Sequence, residues 1–142
     1  MKRKAILIGC DSKTDEVKLP VSNDVEFIKS YLQSREDGYW LNSEIVVLIN
    51  PSSKQLLSCF KEVKEDFRFV YYTGHGLMSR GEQYINFGED ELINISEFLY
   101  KCKKEVFIFD CCRIVYEYKF ITSQYRITEA NQKADKVKIR KK

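Results

Sequence analysis

One histidine occurs in the chain, inside YYTGHG at residues 71–76. Thirty-seven residues beyond it lies Cys112, the second of two adjacent cysteines in FIFDCCR at 107–113. A thiol is an effective nucleophile when an imidazole can accept its proton or hold it as a thiolate. His75 with Cys111 or Cys112 therefore has the ingredients for thiol attack on a carbonyl. Gly74 and Gly76 flank the imidazole and leave the backbone beside it open to close approach. The Gly76 N–H and the N–H of the nucleophile itself would then form an oxyanion hole.

Other chemistries fit these residues less well. Structural zinc takes four ligands, commonly with cysteines paired two to four residues apart, and no such pair stands near His75. A cysteine phosphatase needs an arginine six residues after its nucleophile, where this chain has Tyr118. A nucleotide-binding domain needs a Gly-rich phosphate cradle after the first strand, and GCDSKTDE is not one.

The positions of the two motifs follow from the elements around them. AILIGC (5–10), EIVVLI (44–49), FRFVYYT (67–73) and EVFIFD (105–110) are short apolar runs of the kind that form strands buried on both faces. SNDVEFIKSYLQS (22–34) has Val25, Ile28 and Leu32 at helical spacing, with Ser22 or Asn23 as the cap. SSKQLLSCFKEV (52–63) predicts a second helix with Leu56, Leu57, Phe60 and Val63 as its stripe. NISEFLYKC (94–102) predicts a third, capped by Asn94 or Ser96. QYINF, between Gly81 and Gly88, is half of a hairpin. Strands alternating with helices imply an α/β fold with a parallel sheet between helical layers. Ligands in such folds bind beyond the carboxyl ends of the strands. His75 and the cysteine pair follow the third and fourth apolar strands, so they meet if those strands are neighbours.

A length of 142 residues is one domain's worth of chain, with 44% hydrophobic and 13% aromatic residues. The net charge of +3 comes from the end: the last ten residues hold six Lys/Arg and one Asp. With those set aside, 18 basic and 20 acidic residues remain. The basic end reads as a solvated terminus, so neither nucleic acid nor membrane is expected as a partner. No signal peptide and no membrane-spanning run is legible. Five cysteines without an export signal fit reduced thiols in the cytoplasm.

The order apolar strand, Y-x-G-H-G, apolar strand, D-x-C-R resembles the caspase-like cysteine peptidases, which include caspases, paracaspases and metacaspases. The resemblance covers roughly residues 4–113, the large-subunit region. It implies a three-layer caspase-like sandwich, a mostly parallel sheet flanked by helices. His75 matches the catalytic histidine and Cys112 the nucleophile, with Cys111 as the residue before it. Gly76 and Cys112 N–H match the oxyanion donors. Asp110 matches the metacaspase and paracaspase acid that lines the specificity pocket. SND at 22–24 resembles the metacaspase motif that adds Asp24 to that pocket, and Thr73 stands where that family often has Ser. Two carboxylates would pair with a guanidinium or ammonium group, so cleavage after Arg or Lys is implied.

Two features depart from the family. RIVYEYKF follows Cys112 where the family has a glycine-containing loop, and only thirty residues remain after it. The small-subunit strands are therefore expected to be missing. Residues 1–113 read as the catalytic domain and 114–142 as an atypical extension. The resemblance implies a polypeptide substrate and a small-subunit partner or homodimer through the open sheet edge. The alternative is a caspase-like interaction module without peptidase activity. Metacaspase calcium activation relies on an acidic cluster. GEDE at 88–91 (Glu89, Asp90 and Glu91) matches no calcium ligand set, so no metal or cofactor is assigned.

Overall fold

The computed structural model describes residues 1–11, 18–36, 38–61, 64–87, 91–97, 102–111, 114–117 and 140–141. Four apolar runs form strands β1 (Arg3–Cys10), β2 (Ile45–Ile49), β3 (Phe67–Gly74) and β7 (Lys104–Cys111). They make one sheet in the order β2-β1-β3-β7 with every pair parallel. β1 is central, and all six residues from Ala5 to Cys10 are buried, which explains an apolar run without alternation. Helix α1 (Val21–Gln33) packs Val25 and Leu32 with Ala5, Leu7, Trp40 and Tyr71 on one face. Helix α2 (Ser53–Lys61) packs Leu56 and Phe60 with Ile6, Ile8, Val70 and Tyr72 on the other. The result is the mixed α/β, parallel-sheet architecture expected from the sequence.

A second sheet has the order β6-β5-β4-β8-β9. Its strands are β4 (Gly76–Ser79), β5 (Glu82–Phe87), β6 (Glu91–Asn94), β8 (Ile114–Glu117) and β9 (Arg140–Lys141). The β4–β5 hairpin turns at Arg80-Gly81, where φ is +51° and +78°. Positive φ at both turn residues matches the right-handed twist of the flanking strands. Ile85 and Ile93 bury themselves in the α2-side core.

Three local expectations change. Neither Ser22 nor Asn23 caps α1: Pro20 occupies that position without a side-chain cap, and its carbonyl accepts the Asn23 and Asp24 N–H groups at 3.0 and 3.1 Å. The third predicted helix begins as strand β6, followed by one 3-10 turn at Ile95–Glu97, with residues 98–101 outside the described set. Cross-strand pairing of Asn94 with Tyr84 wins over helix propensity at the start of that segment. Asn94 still accepts the Ser96 N–H at 3.0 Å and so caps that turn. β2 and β7 are half-buried rather than buried on both faces: in β2, Val47 and Ile49 are each 40% exposed. Phe107, Phe109 and Cys111 face the α2-side core, while Val106 and Ile108 are 41% and 44% exposed. β2 and β7 are the two edge strands of this sheet among the described residues, and α1 packs chiefly over β1, β2 and β3. No helix among the described residues is long and apolar enough to cross a membrane.

Candidate active site

Strand order reverses between β1 and β3, because β1 leads through α1 to β2 on one side and β2 leads through α2 to β3 on the other. The crevice beyond the carboxyl ends of those strands is where open α/β folds bind ligands. Asp11 follows β1 at that point and His75 follows β3. The His75 Nε2 atom is buried and lies 3.8 Å from Asp11 Oδ1.

The backbone around His75 is held from below. Gly74 has φ +156°, and a Cβ there would strike the Cys10 carbonyl and sit 2.6 Å from the Tyr72 hydroxyl. Only glycine fits such close approach. The Tyr72 hydroxyl donates to the His75 carbonyl at 2.8 Å and also lies against the Asn86 carbonyl, while Asn86 N–H donates to the His75 carbonyl at 3.0 Å. Burial pushes the Tyr72 phenol well above its ordinary range, and the Cys10 and Cys111 thiols add to the shift. It therefore remains a hydrogen-bond donor.

The three residues matched to the specificity pocket converge on one face of β3. Thr73 Oγ1 donates to Asp24 Oδ2 at 3.1 Å, which ties β3 to the first turn of α1. Thr73 pairs in register with Asp110 on β7. The Tyr71 hydroxyl donates to Asp110 Oδ2 at 3.3 Å. Burial raises the Tyr71 phenol to about 12, Thr73 counteracts it, and Asp110 and Asp24 add to it by their negative charge.

Tyr71 and Asp11 were not singled out from the sequence. Signals for both existed. Alternation along FRFVYYT puts Tyr71 on the same face as Thr73. Asp11 is the first residue after the first apolar strand, the place where α/β sites collect acids.

Cys111 ends β7 opposite Gly74 and packs into the α2-side core, the face away from Asp110. Its sulfur lies 3.7 Å from Gln83 Nε2. Cys112 lies outside the described residues, as do Glu89 and Asp90. The described residues that bracket Cys112 have partners: Cys111 pairs with Gly74 in the first sheet, and Ile114 pairs in parallel with Leu77 in the second. Gly76 opens β4 and pairs with Ile85. Among the described residues, no three His, Cys, Asp or Glu side chains gather as a metal site.

A parallel α/β sheet carries an imidazole at its switch point, with the Asp11 carboxylate 3.8 Å from it. A family model described as the caspase domain matches residues 2–141, and the chain belongs to that family. No curated protein matches the chain.

Proposed function

We propose that the protein is a cysteine endopeptidase of the caspase and metacaspase type, with His75 and Cys112 as its dyad. The single observation that carries this reading is the doubled strand pairing. Gly74 and Leu77, which flank the His75 link, pair with Cys111 and Ile114, which flank the Cys112 link. The caspase domain match supports the same chemistry.

In this reading Cys112 passes its thiol proton to His75, and the thiolate attacks the peptide carbonyl. Gly76 and Cys112 N–H receive the resulting oxyanion. The imidazolium then protonates the leaving amine as the C–N bond breaks, leaving an acyl thioester. Water attacks the thioester with His75 taking its proton, and that proton returns to the sulfur as the acid leaves. Asp24 and Asp110, held by Thr73 and Tyr71, form the pocket for an Arg or Lys side chain.

The test is hydrolysis of fluorogenic peptides ending in Arg, Lys or Asp, with and without calcium. Faster cleavage after Arg and Lys is expected. Faster cleavage after Asp would refute the pocket.

One observation favours a second reading, activity only with a partner. β7 is an edge of its sheet among the described residues, and it exposes Val106 and Ile108. A small subunit or a second copy of the chain would extend the sheet there.

A further inference from the structure

Asp11 has no role in the dyad as proposed, yet the fold holds it firmly at the switch point. Its N–H donates to Asn50 Oδ1 at 2.8 Å. Asn50 itself adopts φ +47°, and its own N–H donates to the Gly9 carbonyl at 2.8 Å. The residue that follows β2 thus pins the end of β1. The Asp11 Oδ1 atom also accepts the Leu19 N–H at 3.2 Å, which fixes the carboxylate's rotation. That fixed oxygen is the one facing His75 Nε2 at 3.8 Å. The Asp11 side chain is 15% exposed and that of His75 is 28% exposed, so the pair is only partly screened by water.

From this geometry we infer that Asp11 is a positioning residue for His75: its carboxylate holds the imidazole by Nε2, leaves Nδ1 as the nitrogen that takes up the thiol proton, and stabilises the imidazolium. The inference rests on the peptidase reading above and adds a third member to its dyad. A separation of 3.8 Å is an ion-pair distance rather than a hydrogen bond, and catalytic contacts commonly tighten only when substrate is bound. The carboxylate needs no proton of its own. It favours the state in which His75 has received the thiol proton, and so favours the thiolate.

Asp11→Asn keeps an acceptor for the Leu19 N–H while removing the charge, and Asp11→Glu restores the charge on a longer arm. Two readouts are taken on each variant. One is kcat and KM on an Arg-ending peptide. The other is the rate of iodoacetamide labelling at Cys112 relative to Cys59, read by mass spectrometry of the same sample.

Asp11→Asn is expected to lower kcat roughly tenfold to a hundredfold with KM little changed, within the range for a general-base contribution. The Cys112 to Cys59 labelling ratio is expected to fall alongside it, and Asp11→Glu to recover most of both. An Asp11→Asn protein with wild-type kcat and labelling overturns the inference. So does one whose kcat and unfolding temperature fall while Cys112 labelling stays fast, since that is a structural effect. If wild-type Cys112 labels no faster than Cys59 and no peptide is cut, the dyad itself is wrong and the role of Asp11 falls with it.

Discussion

Gly74→Ala is the substitution with the most direct physical consequence for the site. At φ +156° an L side chain sits in a region essentially reserved for glycine, at a cost of about 1–3 kcal/mol. The new methyl would also strike the Cys10 carbonyl and the Tyr72 ring and hydroxyl, and neither group can retreat. The carbonyl belongs to the central strand, and the hydroxyl is committed to the His75 and Asn86 carbonyls. Overpacking of that kind costs about 1–3 kcal/mol more. The sum, about 2–6 kcal/mol, is a large share of the ~5–15 kcal/mol that a domain typically has. For a chain of 142 residues it corresponds to a fall of roughly 7–20 °C in Tm. Urea and thermal unfolding measure it, and the chain's sole histidine gives one imidazole resonance that reports whether His75 moves. Wild-type stability with an unmoved resonance would refute the account of how His75 is held.

Three further outcomes follow from the same geometry. Asp24→Asn or Asp110→Asn each removes one carboxylate from the proposed pocket. The loss of about 1.5–3 kcal/mol of charge-assisted hydrogen bonding should lower kcat/KM on Arg-ending peptides by roughly ten- to a hundredfold, with Leu-ending peptides little affected. Tyr71 is raised from 10.0 to about 12 in the fold, so its contribution to stability is fully present below pH 10 and is lost as pH rises through 12. Urea midpoints measured across that window should fall less steeply in Tyr71→Phe than in wild type. Glu65 behaves oppositely. Burial opposes its ionisation, but hydrogen bonds from Arg68 and backbone N–H groups outweigh that and leave its carboxyl below 4.5. Stability present above pH 4.5 should therefore drain away in more acid solution, and Glu65→Gln should flatten that limb of the profile.

Much of this arrangement was legible in the sequence because apolar runs with glycine or polar stops leave few alternatives. β1, β2, β3 and β7 each fall within two residues of the run that predicts them. The meeting of Thr73 with Asp110 required only that the third and fourth apolar strands be neighbours, and they are. What escaped depends on contacts between distant segments. Local spacing in NISEFLYKC suits a helix, but its first residue, Asn94, pairs with Tyr84 of β5 and a single 3-10 turn follows, with 98–101 outside the described residues. The exposure of Val106 and Ile108 follows from β7 lying at an edge, which a run of apolar letters does not encode. Asp11 gains its meaning only when strand order brings it beside His75, across 64 residues of chain.

The central claim is that Cys112 is the nucleophile of an Arg- or Lys-directed peptidase. Its most direct test is covalent capture with a peptidyl-arginine acyloxymethyl ketone, followed by digestion and tandem mass spectrometry of the EVFIFDCCR peptide (105–113). The account predicts one adduct on Cys112, formed faster than with the aspartate-ending reagent, abolished in Cys112→Ala and His75→Ala, and retained in Cys111→Ala. Capture on Cys111, or none on Cys112 in a folded wild-type protein with or without calcium, would contradict it.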